Sequence, residues 1–269
     1  MESSSDNRPS LTTDLGTKEV NCDKHGLYVA KGAKFTYGKG REWWTGCAQC
    51  EADRQAAERA EEARVRAEME RERINTLLAR SGIPERLKGC TFANYVAASD
   101  AQKNAMQIVM DFAAGFEANL KSGSSLILAG KPGTGKGHLA AACMNKIMPR
   151  WLPVYTTCLD MIRSVRETWR KDSAHSESEV LQELEEVPLL VLDEIGVQYG
   201  TEGEQTILFD VLDRRYRQMR PTILITNQDV PGFKGFLGER TYDRLRETAR
   251  WVSFDWPSYR LQARKEARE

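Results

Sequence analysis

Gly130-Lys131-Pro132-Gly133-Thr134-Gly135-Lys136-Gly137-His138 is the stretch on which the fold turns. It fits the phosphate-binding template G-x-x-x-x-G-K-[ST] at Gly130, Gly135 and Lys136. It departs from the template at Gly137, where a hydroxyl for Mg²⁺ is expected. Upstream, Ser125-Leu126-Ile127-Leu128-Ala129 reads as a short buried strand, and downstream His138-Leu139-Ala140-Ala141-Ala142-Cys143-Met144 has helix-forming composition. Glycines let backbone N–H groups approach phosphates without a Cβ in the way. The N-terminus of the following helix adds partial positive charge. Residues 130–138, with Lys136 reaching the β- and γ-phosphates, are therefore the expected cradle for ATP or ADP.

A second element supports the first. Val187-Pro188-Leu189-Leu190-Val191-Leu192-Asp193-Glu194 is an apolar run ending in two carboxylates, as a buried parallel strand delivers acids to its C-terminal edge. Asp193 is placed to hold Mg²⁺ through water and Glu194 to polarise the attacking water. A third strand, Thr222-Ile223-Leu224-Ile225-Thr226, ends in Asn227. Asn227 is either a turn residue or a γ-phosphate sensor, and its place in series with the other two strands favours the sensor. Strands are expected at 126–129, 154–157, 189–193, 222–226 and 251–255, with helices at 136–148, 159–169, 177–186 and 204–219. Five strands with intervening helices imply a parallel α/β sheet with its ligand beyond the strands' C-terminal edges.

The length of 269 residues suits one nucleotide-binding domain and a small appendage. Lys+Arg and Asp+Glu both number 39, so the net charge is zero and any nucleic-acid site must be local. No signal peptide and no bilayer-length apolar run is read, so a cytoplasmic protein without a membrane partner is expected. Residues 1–17, rich in Ser, Thr and Asp, are expected to be a disordered tail. Of six cysteines, Cys90, Cys143 and Cys158 are scattered through the expected core as buried thiols.

The other three cluster with a histidine. Cys22-x-x-His25 and Cys47-x-x-Cys50 form two knuckles suited to tetrahedral Zn²⁺. Residues 18–50 hold too little apolar content for a core, so metal is expected to supply folding energy. Between the knuckles, aromatics alternate with glycines and basic residues, which suggests short hairpins. That segment serves either to stack on single strands or to pack round the metal and meet a protein. Residues 51–80 are dominated by Ala, Glu and Arg and specify a helix of roughly 45 Å, a solvated spacer or a docking element. Ala56, Ala60, Ala63 and Ala67 form a weak stripe continued by Ile74 and Leu77. Ser81-Gly82-Ile83-Pro84 ends that helix and opens the domain expected at 81–269.

From Ser81 to Arg260, about two-thirds of the chain, the sequence resembles the DnaC family of replicative helicase loaders, members of the AAA+ class. The residues that carry the resemblance are Arg80-Ser81-Gly82-Ile83-Pro84, Cys90-Thr91-Phe92-Ala93-Asn94-Tyr95, the phosphate loop with its helix, Leu192-Asp193-Glu194-Ile195-Gly196-Val197-Gln198, Asp213-Arg214-Arg215, Leu237-Gly238-Glu239-Arg240, Asp243-Arg244 and Asp255-Trp256 with Ser258-Tyr259-Arg260. The resemblance implies an ATPase that binds a DnaB-type helicase hexamer, helps place it on single-stranded DNA, and associates with itself through its ATPase domains. It implies an arginine finger at Arg244, shared by Arg240, a phosphate contact at Arg260, and an adenine-side segment at Phe92 and Tyr95. Without the resemblance, those arginines read as surface ion pairs and those aromatics as core. Arg163-Ser164-Val165-Arg166-Glu167-Thr168-Trp169-Arg170-Lys171 is either a single-strand contact or a solvated helix face with Trp169 in the core.

Two departures stand out. Gly137 leaves the metal shell one protein oxygen short, which implies slow, switch-like hydrolysis. The cysteine-rich N-terminus resembles loaders of phages and prophages. Thirteen residues after Trp256 are too few for a helical lid. The alternatives are a transposition-helper ATPase of the IstB type and a nucleotide-binding adaptor without significant hydrolysis.

Overall fold

The computed structural model describes residues 12–36, 40–148, 150–196 and 201–259, with the helix side chains at 67 and 70–79 outside that set. The chain divides into two compact units, Met1–Glu72 and Arg73–Glu269.

The first unit is an antiparallel sheet of β1 (Thr12–Cys22), β2 (Gly26–Phe35) and β3 (Glu42–Trp44), followed by the start of helix α1 (Ala48–Arg80). The disordered tail expected through Thr17 is thus corrected, because strand begins at Thr12. Leu15 and Val20 are the only large apolar residues of β1, so its own sequence carries little strand signal. Ten ladder pairs with β2, from Thr12↔Phe35 to Cys22↔Gly26, supply the order instead. Between the knuckles β2 and β3 pair antiparallel, as the expected hairpins require, and a longer hairpin of β1 and β2 wraps the first knuckle with His25 in its turn. Pleating sends Ala30 inward, fully buried, while Leu27 on the other face is 75% exposed. Trp44 lies over Gly32, where a Cβ would meet its ring at 2.8 Å, and the Lys18 ammonium sits 4.0 Å from the same ring. α1 starts at Ala48, earlier than residue 51, so Cys50 belongs to its first turn. Ion pairs such as Arg54–Glu51 and Arg64–Glu61 line its exposed surface.

The second unit holds a parallel sheet of β4 (Ser125–Gly130), β5 (Val154–Thr157), β6 (Leu190–Ile195), β7 (Thr222–Thr226) and β8 (Ala249–Phe254), in the order β5-β6-β7-β4-β8. Its inner strands β4, β6 and β7 are apolar-rich because both their faces are covered, whereas edge strands β5 and β8 carry polar, partly exposed residues. Leu126 and Leu128 of β4 face a cluster built with α2 (Asp100–Ala114) and α4 (Lys136–Ile147). Ile127 and Ala129 face one built with α5 (Cys158–Glu167), α7 (Glu202–Arg217), α8 (Val230–Leu237) and α9 (Glu239–Thr248). The sequence marks these helices with their own caps. Capping boxes at Ser99/Gln102, Ser176/Glu179 and Thr201/Glu204 open α2, α6 (Glu177–Glu186) and α7. Helices α2, α3 (Phe116–Ser122), α8 and α9 add to those expected. The last strand runs from Ala249, two residues ahead of the expected start at 251. No described helix is long and apolar enough to cross a membrane.

Candidate nucleotide site and metal centre

Central strand β4 has β7 on one side and β8 on the other: the chain leaves β4 through α4 toward β5 at one edge of the sheet, whereas β8, on the opposite side of β4, is reached from β7. Such a switch point opens a crevice at the strands' C-terminal edge, and the phosphate loop fills it. Gly130 has φ 142°, and a Cβ there would stand 2.3 Å from the Phe254 carbonyl oxygen, so only glycine lets the loop leave β4 beside β8. Gly135 (φ 97°) lets the Tyr95 ring lie against the loop, since a Cβ would meet it at 2.7 Å.

Lys136 is 6% exposed, and its Nζ donates to Gly130 O (2.6 Å), Lys131 O (2.8 Å) and Asn227 Oδ1 (2.9 Å). A buried ammonium is tolerable only with such acceptors, and a nucleotide's phosphate oxygens can replace them. Asn227, directly after β7, thus lies on the loop lysine. Other loop carbonyls are tied back to the protein. Thr134 O accepts from Trp256 Nε1 (2.9 Å) and Gly133 O from the Tyr259 N–H (2.9 Å). Withdrawing these oxygens from the concave side favours an anion there. Trp256 and Tyr259 were visible in the sequence only within the stretch that carries the resemblance. Lys131 pairs with Asp255 at 2.9 Å and holds that carboxyl below its usual range.

His138 is turned sideways. Its Nε2 lies 3.0 Å from Thr91 O and its ring meets Tyr95 edge-on at 5.3 Å. It braces the 91–95 segment. Tyr95 reaches the loop, whereas Phe92 is half-buried against the core.

The ends of β6 and β7 shape the acids. Register shifts between Leu192 and Ile195, and Glu194 sits at φ 61°, a left-handed conformation for a side chain that gains nothing from it sterically. Thr226 Oγ1 donates to Ile195 O (2.8 Å) and Gln228 Nε2 to Gly196 O (3.3 Å), which holds the bulge. Asp193 accepts from the Glu194 N–H (2.7 Å) and from the Tyr155 hydroxyl. Burial, reinforced by Asp193, pushes the Tyr155 ionisation far upward, so it is a neutral phenol. The bulge, Thr226, Gln228 and Tyr155 are site features the sequence reading missed. The donor set suits a hydrated divalent cation at Asp193.

Arg244 and Arg240 lie on α9. Arg244 pairs with Asp213 of α7, which also holds Arg217 (2.8 Å), and its guanidinium stands 5.8 Å from the Phe209 ring and 5.4 Å from the Tyr216 ring. Arg240 stands 5.5 Å from the Phe209 ring. Among the described residues, these side-chain partners belong to α7 and none to the phosphate loop. Arg260, Val197 and Gln198 lie outside the described residues. Trp169 is 57% exposed, which corrects the core alternative for it; its Nε1 donates to Glu177 (2.6 Å). Arg163 and Arg170 pair with Asp160 and Asp172, so part of that segment's positive charge is already met.

In the first unit, Cys22, His25, Cys47 and Cys50 bring their ligand atoms within 4.8 Å of one another. Cys22 and Cys50 sulfurs are 3.4 Å apart, and Cys50 Sγ is 3.3 Å from His25 Nδ1. Two thiolates on one tetrahedral Zn²⁺ stand roughly 3.8 Å apart, so the set fits such an ion. Backbone N–H groups of Lys24 and His25 draw Cys22 down to about 6, while the hydrogen bond with Cys22 pushes Cys50 up to about 11. These are two halves of one interaction, sulfurs sharing a proton that a cation would displace. His25 Nε2 meets Asp53 at 3.1 Å. That carboxylate fixes the tautomer and aims Nδ1 at the cluster, a role the sequence signals only as an acid three residues after Cys50.

The profile described as IstB-like ATP binding protein matches residues 60–267. The replicative helicase loader DnaC of Escherichia coli K12 is 40% identical over 183 residues, spanning 67% of this chain and 73% of that one. The chain belongs to the IstB/DnaC family of ATP-binding proteins. DnaC of Buchnera aphidicola from Acyrthosiphon pisum is 36% identical over 190 residues, 70% of this chain and 76% of its own. Among solved structures, the DnaC helicase loader superposes with TM-score 0.58 at 20% identity, covering 64% of this chain and 99% of that one. AMPPCP-bound DnaA of Aquifex aeolicus gives 0.55 at 21%, covering 69% and 55%. These likenesses establish the AAA+ fold of the second unit. The cysteine cluster lies before the family match begins.

Proposed function

We propose that this protein is an ATP-dependent loader that binds a DnaB-type replicative helicase and helps deposit it on single-stranded DNA. The observation that carries the reading is the gathering of Lys136, Asn227, Asp193 and Glu194 at one sheet edge, in a chain 40% identical to a DnaC loader. The loader name of these relatives favours this reading over a transposition helper.

Nucleotide is held by the loop's N–H groups and Lys136, and the 91–95 segment with Tyr95 lies beside it. Mg²⁺, when bound, neutralises phosphate charge beside Asp193. Glu194 orients and deprotonates the attacking water, and Asn227 positions the γ-phosphate. Arg244 acts on a neighbouring subunit's nucleotide, so hydrolysis is slow in the isolated chain and rises on assembly. The cysteine cluster holds one Zn²⁺ structurally, since four protein ligands fill its shell. Leu27, Val29, Phe35 and Trp43, exposed on the first unit's sheet, give a surface for the helicase. Free cysteines throughout the chain agree with a reducing cytoplasm.

The test is loading. Helicase hexamer, circular single-stranded DNA and ATP are mixed with and without this protein, and helicase retained on the circle is measured after gel filtration. Retention should rise severalfold with the protein and ATP. Equal retention without it would refute the loader reading.

A further inference from the structure

The phosphate loop lacks a side-chain hydroxyl at Gly137, yet a hydroxyl occupies the space beside it. Gly137 has ordinary helical backbone in the first turn of α4, so nothing in its conformation demands glycine. A Cβ built there would stand 3.7 Å from the Tyr155 hydroxyl oxygen and 3.4 Å from Leu87 Cδ1. The Tyr155 oxygen therefore lies within reach of any serine side chain at 137. That same hydroxyl donates to Asp193, whose other oxygen takes the Glu194 N–H.

Tyr155 is also held rigidly. It is 5% exposed and belongs to the core on the α2/α4 face. Its strand is the sheet's edge, but its N–H donates to Ser81 O at 2.7 Å. Gly82 (φ 69°) lies so close that a Cβ would stand 2.4 Å from the Tyr155 carbonyl oxygen. The Ser81-Gly82-Ile83 turn thus clamps the tyrosine backbone, while its ring crosses the core to the site. A phenol that donates to a carboxylate retains lone pairs to accept from water.

We propose that Tyr155 is a positioning residue for the Mg²⁺–nucleotide shell, its hydroxyl standing in for the one Gly137 lacks by holding Asp193 and ordering the water in the vacated place. The inference rests on the nucleotide-site reading above. It changes the meaning of Gly137, which becomes half of a compensated pair.

The experiment is calorimetric binding of ADP and a non-hydrolysable ATP analogue, each with Mg²⁺ and with excess chelator. Tyr155→Phe should leave Mg²⁺-free affinity within twofold and cut the affinity gained from Mg²⁺ by about tenfold. Gly137→Ser alone should change that gain less than about threefold, and in the Tyr155→Phe background it should restore most of the loss. An undiminished Mg²⁺ gain in Tyr155→Phe would overturn the proposal. So would an equal loss with and without Mg²⁺, the mark of a merely structural role, or a failure of Gly137→Ser to restore. Absence of nucleotide binding by the unaltered chain would overturn the nucleotide-site reading itself.

Discussion

Glu194 carries a left-handed backbone at the end of a strand, and that strain has a use. It swings one carboxylate out of the pleat at the edge that carries the phosphate loop, while Asp193 stays half-buried against Tyr155. Glu194→Gln should retain ATP affinity and lower hydrolysis at least about 100-fold, measured by phosphate release; comparable turnover would remove it from the mechanism. The two acids were legible because a run of large apolar residues ended in them. The bulge was not, since it is held by Thr226 of the neighbouring strand and by Gln228 just after it, both distant in sequence. Arg215 shows the reverse case. It stands in a motif that carries the resemblance, yet it is 1% exposed and donates to the carbonyls of Leu184, Val187 and Pro221 and to Thr222 Oγ1. Burial draws it down to about 9, which still leaves it charged near neutrality. Arg215→Leu should cost about 3 kcal/mol in urea unfolding, because it strands these acceptors. A loss below about 1 kcal/mol would show that water replaces the guanidinium.

At the level of elements, the cysteine module joins a three-stranded sheet to a cluster of four metal-ligating side chains. Spacing made the ligands readable, whereas β1 was hidden because pairing with β2 orders a polar segment. Removal of metal by a strong chelator should abolish the near-ultraviolet signal of Trp43 and Trp44, with about one Zn²⁺ released per chain. A folded, metal-free module would contradict the assignment. Asp53→Asn should weaken zinc affinity by about tenfold, since His25 loses the carboxylate that sets its tautomer. In the second unit the five strands were legible from apolar runs punctuated by polar residues. Helices α8 and α9 escaped notice, although Asp229 with Pro231 marks the first of them as a cap.

Across the whole molecule, the sheet order places Lys136, Asp193, Glu194 and Asn227 at one edge, and Arg244 is held by Asp213 on α7. On the proposed reading a single chain would bind nucleotide while Arg244 stays engaged by Asp213. Arg244→Ala should spare nucleotide binding by the isolated chain and lower hydrolysis by the assembled complex about 1,000-fold. Loss of binding by the isolated chain would place Arg244 in its own site instead. The partner itself is the most direct question. Purified protein mixed with a DnaB-type helicase and ATP should elute from gel filtration with the hexamer, at a mass above that of helicase alone. Separate elution both with and without ATP would contradict the helicase-loader assignment.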